Sequence, residues 1–225
     1  MNTNSALTNQ KERETAVLNI ETGNYEKIAD SLPGSGQHIV ALNEMKYNHE
    51  WLSKTLESGQ EVKFLFFWGH QPSASGRLTK NCFSQWWESP FEIEGTLYPT
   101  AEHWMMAGKA RIFNDQIALH KIVHARTAAE AKKLGREVAG FDPLKWDEEK
   151  YSLVVKGNLG KFSSNDSLKS FLLSTGNAVI VEASPVDNVW GIGLAADHPD
   201  ALDPSLWKGE NLLGYALMEV RDVLK

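Results

Sequence analysis

The sequence predicts an α+β fold: one helix-rich domain that contains a few short strands. Helix start and stop signals recur through the second half of the chain, whereas only two short apolar runs and one hairpin pattern are typical of strands. The length of 225 residues suits one domain, or one domain with an extension. With 42% hydrophobic and 23% charged residues, the composition supplies enough apolar material for a sizeable core.

The first 60 residues are predicted to be an N-terminal extension, partly disordered or helical, that precedes a domain at 61–225. Residues 1–35 are polar and end in the turn-forming segment Pro33-Gly34-Ser35-Gly36. The pattern allows some helix at 12–29. A mixed helical periodicity at 38–58 predicts a segment that packs on the domain.

Three segments are predicted to be strands or strand pairs. The run VKFLFFWG at 62–69 and the run AVIVEAS at 178–184 are short and apolar, as buried strands are. Between them, apolar residues at 91–97 flank Glu94-Gly95, which favours a hairpin.

The predicted helices follow from residues that cap helix ends. Thr127 and Glu130 form a capping box, Thr100 is a plausible N-cap, and Asp147 is expected to cap a helix that Trp146 immediately precedes. The predicted helices run from Thr100 to about Phe113, from Thr127 to Val138, from Glu148 to Phe162, from Ser164 or Asn165 to Thr175, and onward from about Asn211.

Charge and cysteine content restrict the class of partner. The net charge of −6 makes duplex nucleic acid a poor partner, while a small phosphorylated ligand needs only two or three local cations. The single cysteine, Cys82, excludes an internal disulfide and fits a reducing compartment. With neither an apolar leader nor an apolar run of about 18 residues, we expect a cytoplasmic protein that does not enter a membrane.

The first candidate site lies in TAEHWMMAGKA. Glu102 and Lys109 are seven residues apart, two turns along one helical face, and Met105 and Met106 lie between them. Helical side chains lean toward the N-terminus, so Lys109 points back toward Glu102. The alternative is a solvated salt bridge at the edge of an ordinary core-facing helix.

The second candidate site follows the strand at 178–184. Asp187 lies in a strand-to-loop turn near Trp190 and Gly191, where a ligand can approach the backbone closely. The alternative is an Asx turn at Asp187-Asn188. Trp146 has an alternative role too, as a hydrophobic staple at a helix entry.

Metal chemistry is not expected. His120 and His124 are spaced i,i+4, but no third ligand and no HExxH pattern accompanies them. Cys82 fits a small buried residue better than a nucleophile.

Seven ordered segments together resemble the NADAR (YbiA-like) superfamily over about residues 64–225. They include FWG, TAEHWMMAGKA, AKKLGREV, KGNLGKFSSN, VEASPVDNVWGIGL and WKGENLLGYALMEVR. Ser84-Gln85-Trp86 departs from this pattern, because members of the family commonly have Ser-Asn-Phe there.

This resemblance implies a single α+β domain with N-glycosidase activity. Family substrates include phosphoribosylamino-pyrimidine intermediates of riboflavin biosynthesis, and some members instead remove ADP-ribose from guanine in nucleic acid. The functional Glu, Trp and Asp of the family match Glu102, Trp146 and Asp187. A non-catalytic module that binds ADP-ribose or NAD is the alternative from another class.

We therefore expect a small phosphoribosyl or ADP-ribosyl substrate, with nucleic acid only as a modified substrate and with no metal or organic cofactor. The expected catalytic residues are Glu102, Asp187 and Lys109, and Lys109 acts either covalently or as a supporting cation. The expected substrate-binding residues are Trp146, Trp68, Arg77, Lys80, Trp190 and Gly191. The oligomeric state stays open.

Overall fold

The computed structural model describes residues 45–225, which belong to one compact unit, Asn43–Lys225. The helix allowed at 12–29 and the beginning of the 38–58 segment lie outside the described residues. The α-helices are α1 (His49–Glu57), α2 (Ala101–Ile112), α3 (Gln116–Val123), α4 (Ala128–Arg136), α5 (Pro143–Ser163), α6 (Asp166–Ser174) and α7 (Leu212–Val223). The strands are β1 (Phe64–Phe67), β2 (Phe91–Ile93), β3 (Thr96–Tyr98) and β4 (Val179–Glu182). The prediction of a helix-rich α+β fold is confirmed.

Strands β1 and β4 form a parallel pair in which Phe64 lies opposite Val179 and Phe67 opposite Glu182. Because the carboxyl ends of parallel strands meet at one edge, the residues that follow both strands lie close together, as ligand-binding loops do in α/β sheets. The chain therefore brings Trp68 and the segment after Glu182 to the same edge.

Strands β2 and β3 form the predicted hairpin, with Phe91 opposite Tyr98 and Ile93 opposite Thr96. Glu94 and Gly95 connect the strands, and both have a positive φ, at 53° and 74°. This conformation matches the twist of a two-residue hairpin.

Helix α2 is the central helix of the domain. The Thr100 side chain accepts a hydrogen bond from the backbone N–H of His103, as the sequence predicts. Helices α3, α4 and α5 all pack against α2, and nearly every residue from 101 to 110 is buried. A polar side chain at the first turn of α2 is therefore inside the protein.

Helix α5 begins earlier than the sequence pattern suggests. Asp142 is its N-cap and accepts from the N–H of Leu144, and Pro143 occupies the first position, where its missing N–H costs no hydrogen bond. The expected cap, Asp147, is wrong; it lies inside the helix and pairs with Lys150 at 2.7 Å. Trp146 consequently belongs to the first turn of α5 and does not precede the helix.

Two helix starts differ from the prediction in smaller ways. Helix α3 was not predicted; its cap is Asp115, whose carboxylate accepts from the N–H groups of Ala118 and Ala139. In the capping box before α4, Glu130 accepts from the N–H of Arg126, one residue before the cap.

Asn211 directly precedes α7 but does not cap it with its side chain. Its backbone is left-handed, with φ at 55°, and its side chain makes no cap bond. Instead, the amide accepts from the N–H of Glu182 and donates to the C=O of Ile180, each at 3.0 Å. Asn211 thus bonds the edge of β4 that faces away from β1, as a neighbouring strand would.

Helix α7 packs directly on β4 beside this amide. None of the described helices is both long enough and apolar enough to cross a membrane.

The close contact between α7 and β4 requires a glycine. A methyl group at Gly214 would lie 2.1 Å from the carbonyl oxygen of Ile180 and 2.5 Å from Oδ1 of Asn211. We expect Gly214→Ala to destabilise the protein by at least about 3 kcal/mol, because backbone cannot yield as a flexible side chain does. Urea denaturation measures this loss.

Gly160→Ala is the matched control. Its new methyl group would meet only the ends of Ile93 and Phe91, at 3.0 Å, and Ala favours the helix over Gly. Equal losses of stability in the two variants would contradict the tight contact at Gly214.

Candidate active site

Glu102 is a buried carboxylate in the first turn of α2. Its side chain is 1% exposed, and its Oε1 has no hydrogen-bond partner among the described residues. The backbone N–H of Glu102 donates to the C=O of Gln85 at 2.9 Å. The Gln85 amide in turn donates to Asn158 on α5, which fixes the 84–86 segment against Glu102. Such an unpartnered oxygen in a native core needs an explanation.

The surroundings of Glu102 favour its neutral form. Burial raises the pKa of Glu102 to about 7, and the charge of Asp187 adds to this effect. The cations Lys132 and Arg136 on α4 and the indole of Trp86 act in the opposite direction. Near neutral pH the Glu102 carboxyl therefore exists in both protonation states, as an acid–base catalyst requires.

Glu182 is a second acid with a buried oxygen, at the carboxyl end of β4. Its Oε2 is sealed from solvent and has no hydrogen-bond partner in the described part of the chain. Burial, followed by the charge of Asp187, raises the pKa of Glu182 to about 8; Glu102 raises it further and Lys132 lowers it. Glu102, Glu182 and Asp187 influence one another electrostatically, and we call them the carboxylate cluster.

Asp187 positions the turn that follows β4. Its Oδ1 accepts from the N–H of Val189 at 3.0 Å and from the N–H of Trp190 at 2.8 Å. The Asx turn is thus present, and Asp187 nevertheless acts on both glutamates, so the structural and functional interpretations are compatible. Gly191 packs beneath this turn, where a Cβ would lie 2.8 Å from the carbonyl oxygen of Glu182.

Lys132 and Trp86 complete the surroundings of the carboxylate cluster. The Lys132 ammonium lies 5.8 Å from the centre of the Trp86 ring, and the His70 ring lies 5.3 Å from the same ring. Lys132 lowers the pKa of both Glu102 and Glu182, so it is the cation shared by the two acids.

Sequence reasoning did not single out Lys132 or Glu182. Lys132 and Arg136 are spaced i,i+4 on a capped helix, and a helical wheel would have placed them together. Glu182 ends an otherwise apolar buried strand, which is an unusual place for an acid. Both signals are present in the sequence, but neither shows which element packs opposite.

Lys109 lies among aromatic rings, without an ion pair in the described residues. Its ammonium is 4.0 Å from the centre of the Phe141 ring and 5.6 Å from that of Trp146. Burial lowers the pKa of Lys109. A salt bridge with Glu102, the alternative left open by the sequence, is not formed. The structure therefore brings Lys109 and Trp146 together.

The remaining predicted binding residues lie on three segments: directly after β1, in the Asp187 turn, and on the loop before Phe83. Trp68 follows β1 and is 55% exposed, and Trp190 is half-buried in the Asp187 turn. Arg77 and Lys80 are exposed on the loop before Phe83. The cations identified as acting on Glu102 come from α4 and not from this loop.

Across residues 45–225, no group of three or more His, Cys, Asp or Glu side chains has the geometry to hold a metal ion. The carboxylate cluster has cations and an indole as neighbours, an arrangement that suits proton transfer and the binding of a polar substrate.

The burial of Glu102 predicts a dependence of stability on pH. Its folded-state pKa exceeds the ordinary value of 4.5, so its contribution to stability is fully present below pH 4.5 and is lost as the pH rises through about 7. Glu102→Gln removes this loss. The unfolding free energy of the variant minus that of the original protein should rise by up to about 3 kcal/mol between pH 5 and pH 8. Urea denaturation at the two pH values measures the change.

Glu92→Gln, at an exposed position of β2, is the control. Its unfolding free energy relative to the original protein should be the same at both pH values. A stability difference between Glu102→Gln and the original protein that stays constant with pH would argue against a buried, neutral Glu102.

Comparison with known proteins finds relatives that cover most of this chain. Residues 66–225 match the NADAR domain family. A protein of Acanthamoeba polyphaga mimivirus named as an N-glycosidase is 41% identical over 165 residues, which cover 71% of this chain and 95% of the relative. The Escherichia coli N-glycosidase YbiA is 31% identical over 142 residues, or 63% of this chain and 78% of the relative.

The NMR structure of Escherichia coli YbiA superposes with a TM-score of 0.58 at 27% sequence identity, covering 73% of this chain and 86% of YbiA. The family match covers the end of β1, all of β4 and every residue of the carboxylate cluster. The chain belongs to the NADAR domain family.

Proposed function

We propose that the N-glycosidase activity of this chain hydrolyses the C–N bond between a phosphorylated ribose and a heteroaromatic amine. The substrates that fit best are phosphoribosylamino-pyrimidine intermediates of riboflavin biosynthesis. The observation that carries the proposal is the carboxylate cluster, in which two acids with buried oxygens have pKa values raised to about 7 and about 8 at one edge of the sheet.

The chemistry of C–N cleavage matches these groups. As the bond lengthens, positive charge builds on the sugar and negative charge on the departing nitrogen. An ionised Glu102 accepts a proton from the attacking group, and its neighbour Asp187 stabilises the positive sugar. The backbone N–H of Glu102 donates to the C=O of Gln85, and the Asp187 carboxylate accepts from a backbone N–H, so the main chain at Glu102 and the carboxylate of Asp187 are positioned before the reaction.

Aromatic and cationic side chains predicted to bind substrate suit its two ends. The exposed face of Trp68 and the ring of Trp146 offer surfaces on which a heteroaromatic base stacks. Arg77 and Lys80 extend from an exposed loop and would bind the 5-phosphate.

The first test is turnover of the proposed substrate. We expect the purified protein to release ribose 5-phosphate and free pyrimidine, and we expect Glu102→Gln and Asp187→Asn each to lower kcat by ~10²-fold or more. Chromatography of the products measures both. Glu92→Gln should keep full activity.

Thermal denaturation of each variant separates catalysis from folding. If the loss of activity in each variant parallels its loss of thermal stability, Glu102 and Asp187 have structural and not catalytic roles. Tight binding of this substrate and of ADP-ribosylated guanine, with turnover of neither, would identify a binding module. Turnover of ADP-ribosylated guanine alone would identify the modified guanine as the substrate.

Lys109 is the candidate for a covalent step. A glycosylamine opens to an imine, the lysine amine replaces the departing amine in that imine, and water then releases the ribose aldehyde. This requires a partly neutral lysine, and Lys109 has a pKa lowered by burial and an ammonium group that lies against the rings of Phe141 and Trp146. Borohydride added during turnover should trap a sugar on Lys109, detected by peptide mass spectrometry.

Lys109→Arg is the matched control, since it keeps the cation over Phe141 but cannot form an imine. We expect it to lose the adduct and at least ~10²-fold in kcat. If Lys109→Arg turns over at a near-normal rate, or if no adduct forms in the original protein, Lys109 is a supporting cation only.

A further inference from the structure

Both backbone hydrogen-bonding groups of Glu182 are paired. Its N–H donates to Oδ1 of Asn211 at 3.0 Å, and its C=O accepts from the N–H of Ile192 at 2.9 Å. Its position opposite Phe67 in the parallel pair places the side chain at the edge where β1 and β4 end. The direction of this side chain is therefore set by the sheet and not by a mobile loop.

The two oxygens of Glu182 have different environments. Oε2 is sealed and has no donor among residues 45–225, while the residue as a whole is only partly buried, which leaves Oε1 as the oxygen open to a substrate. If the carboxyl were ionised, half of its charge would lie on a buried oxygen that nothing solvates. Two further carboxyls, Glu102 on α2 and Asp187 in the turn, face the same group, and Lys132 on α4 is the one cation identified as acting on it.

These conditions favour a neutral carboxylic acid with its proton on the outward oxygen. The rise of the Glu182 pKa to about 8 has the same cause, because burial and the two neighbouring acids penalise the charged form. The pKa of Glu102 rises less, to about 7, because Lys132, Trp86 and Arg136 all lower it. In acid–base enzymes, two carboxyls held at different protonation states divide the roles of acid and base.

We propose that Glu182 is the catalytic acid that donates a proton to the departing nitrogen, a role that rests on the proposed function. The O–H proton of Glu182 moves to the nitrogen while the electron pair of the C–N bond passes to the same nitrogen, so the amine leaves neutral. A water molecule adds to the sugar carbon and gives one of its protons to Glu102. Solvent then reprotonates Glu182 and deprotonates Glu102, and the sum is the addition of one water.

Asp187 is less suited to this role. Its Oδ1 already accepts hydrogen bonds from the N–H groups of Val189 and Trp190, so this oxygen holds the turn. Glu182 accepts no side-chain hydrogen bond in the residues described, so its proton is available to a substrate.

The experiment uses two leaving groups and one isosteric variant. Glu182→Gln keeps the shape and a hydrogen-bond donor but has no acidic proton. The substrates are N-ribosides of aniline and of 4-nitroaniline, both as 5-phosphates; the nitro compound leaves more easily without protonation. We expect Glu182→Gln to lower kcat by ~10²-fold or more on the aniline riboside and by less than ~10-fold on the nitroaniline riboside.

The pH profile gives a second measurement. For the original protein on the aniline riboside, kcat/KM should fall as the pH rises through about 8, because Glu182 loses its proton there. In Glu182→Gln this descending limb should vanish. Equal losses on both substrates, or a limb that persists in the variant, would overturn the assignment.

The failure of this inference is distinct from that of the proposed function. If the original protein cleaves neither riboside nor the pyrimidine substrate, the proposed phosphoribosyl substrate class is wrong. If the original protein is active and Glu182→Gln matches it on the aniline riboside, only the role of Glu182 is wrong. Circular dichroism and thermal denaturation confirm that the variant is folded.

Discussion

The hydrogen bonding of β4 on both of its edges is the constraint on which the site depends. A strand of four residues has little stability by itself, and β4 has a single partner strand, β1. The side-chain amide of Asn211 supplies the missing second partner, and α7 covers the strand through the close contact at Gly214. With its backbone held in this way, β4 ends at a fixed point, from which Glu182 and the Asp187 turn project.

Holding acids at that point opposes stability. A carboxyl group with a buried oxygen and no donor contributes less to folding than a paired one would, and Glu102 and Glu182 each have such an oxygen. The protein offsets this cost with a large apolar core around α2, α5 and α7. Functional sites commonly retain such unfavourable groups because their altered pKa values are what the chemistry uses.

Local signals in the sequence predicted much of the fold. The Thr100 cap, the Glu94-Gly95 hairpin and the apolar run of β4 each depend on a few neighbouring residues, so spacing and residue type sufficed. The sequence prediction places the start of α5 too late. Asp142 and Pro143 are the actual start signal, but the prediction takes Asp147, five residues later, as the cap. Glu102 and Asp187 were identified by spacing and resemblance, and the structure brings them together.

Residues whose importance arises from tertiary packing could not be predicted in the same way. Lys132 on α4 lowers the pKa of Glu182 at the end of β4, and no spacing in the sequence encodes that approach. Asn211 has the sequence signature of a cap, yet its amide bonds a strand about 30 residues earlier in the chain. In both cases a polar side chain meets a partner that only the packed fold provides. Since the carboxylate cluster draws its residues from α2, β4 and the turn after β4, its protonation states follow from how these elements pack and not from any one motif.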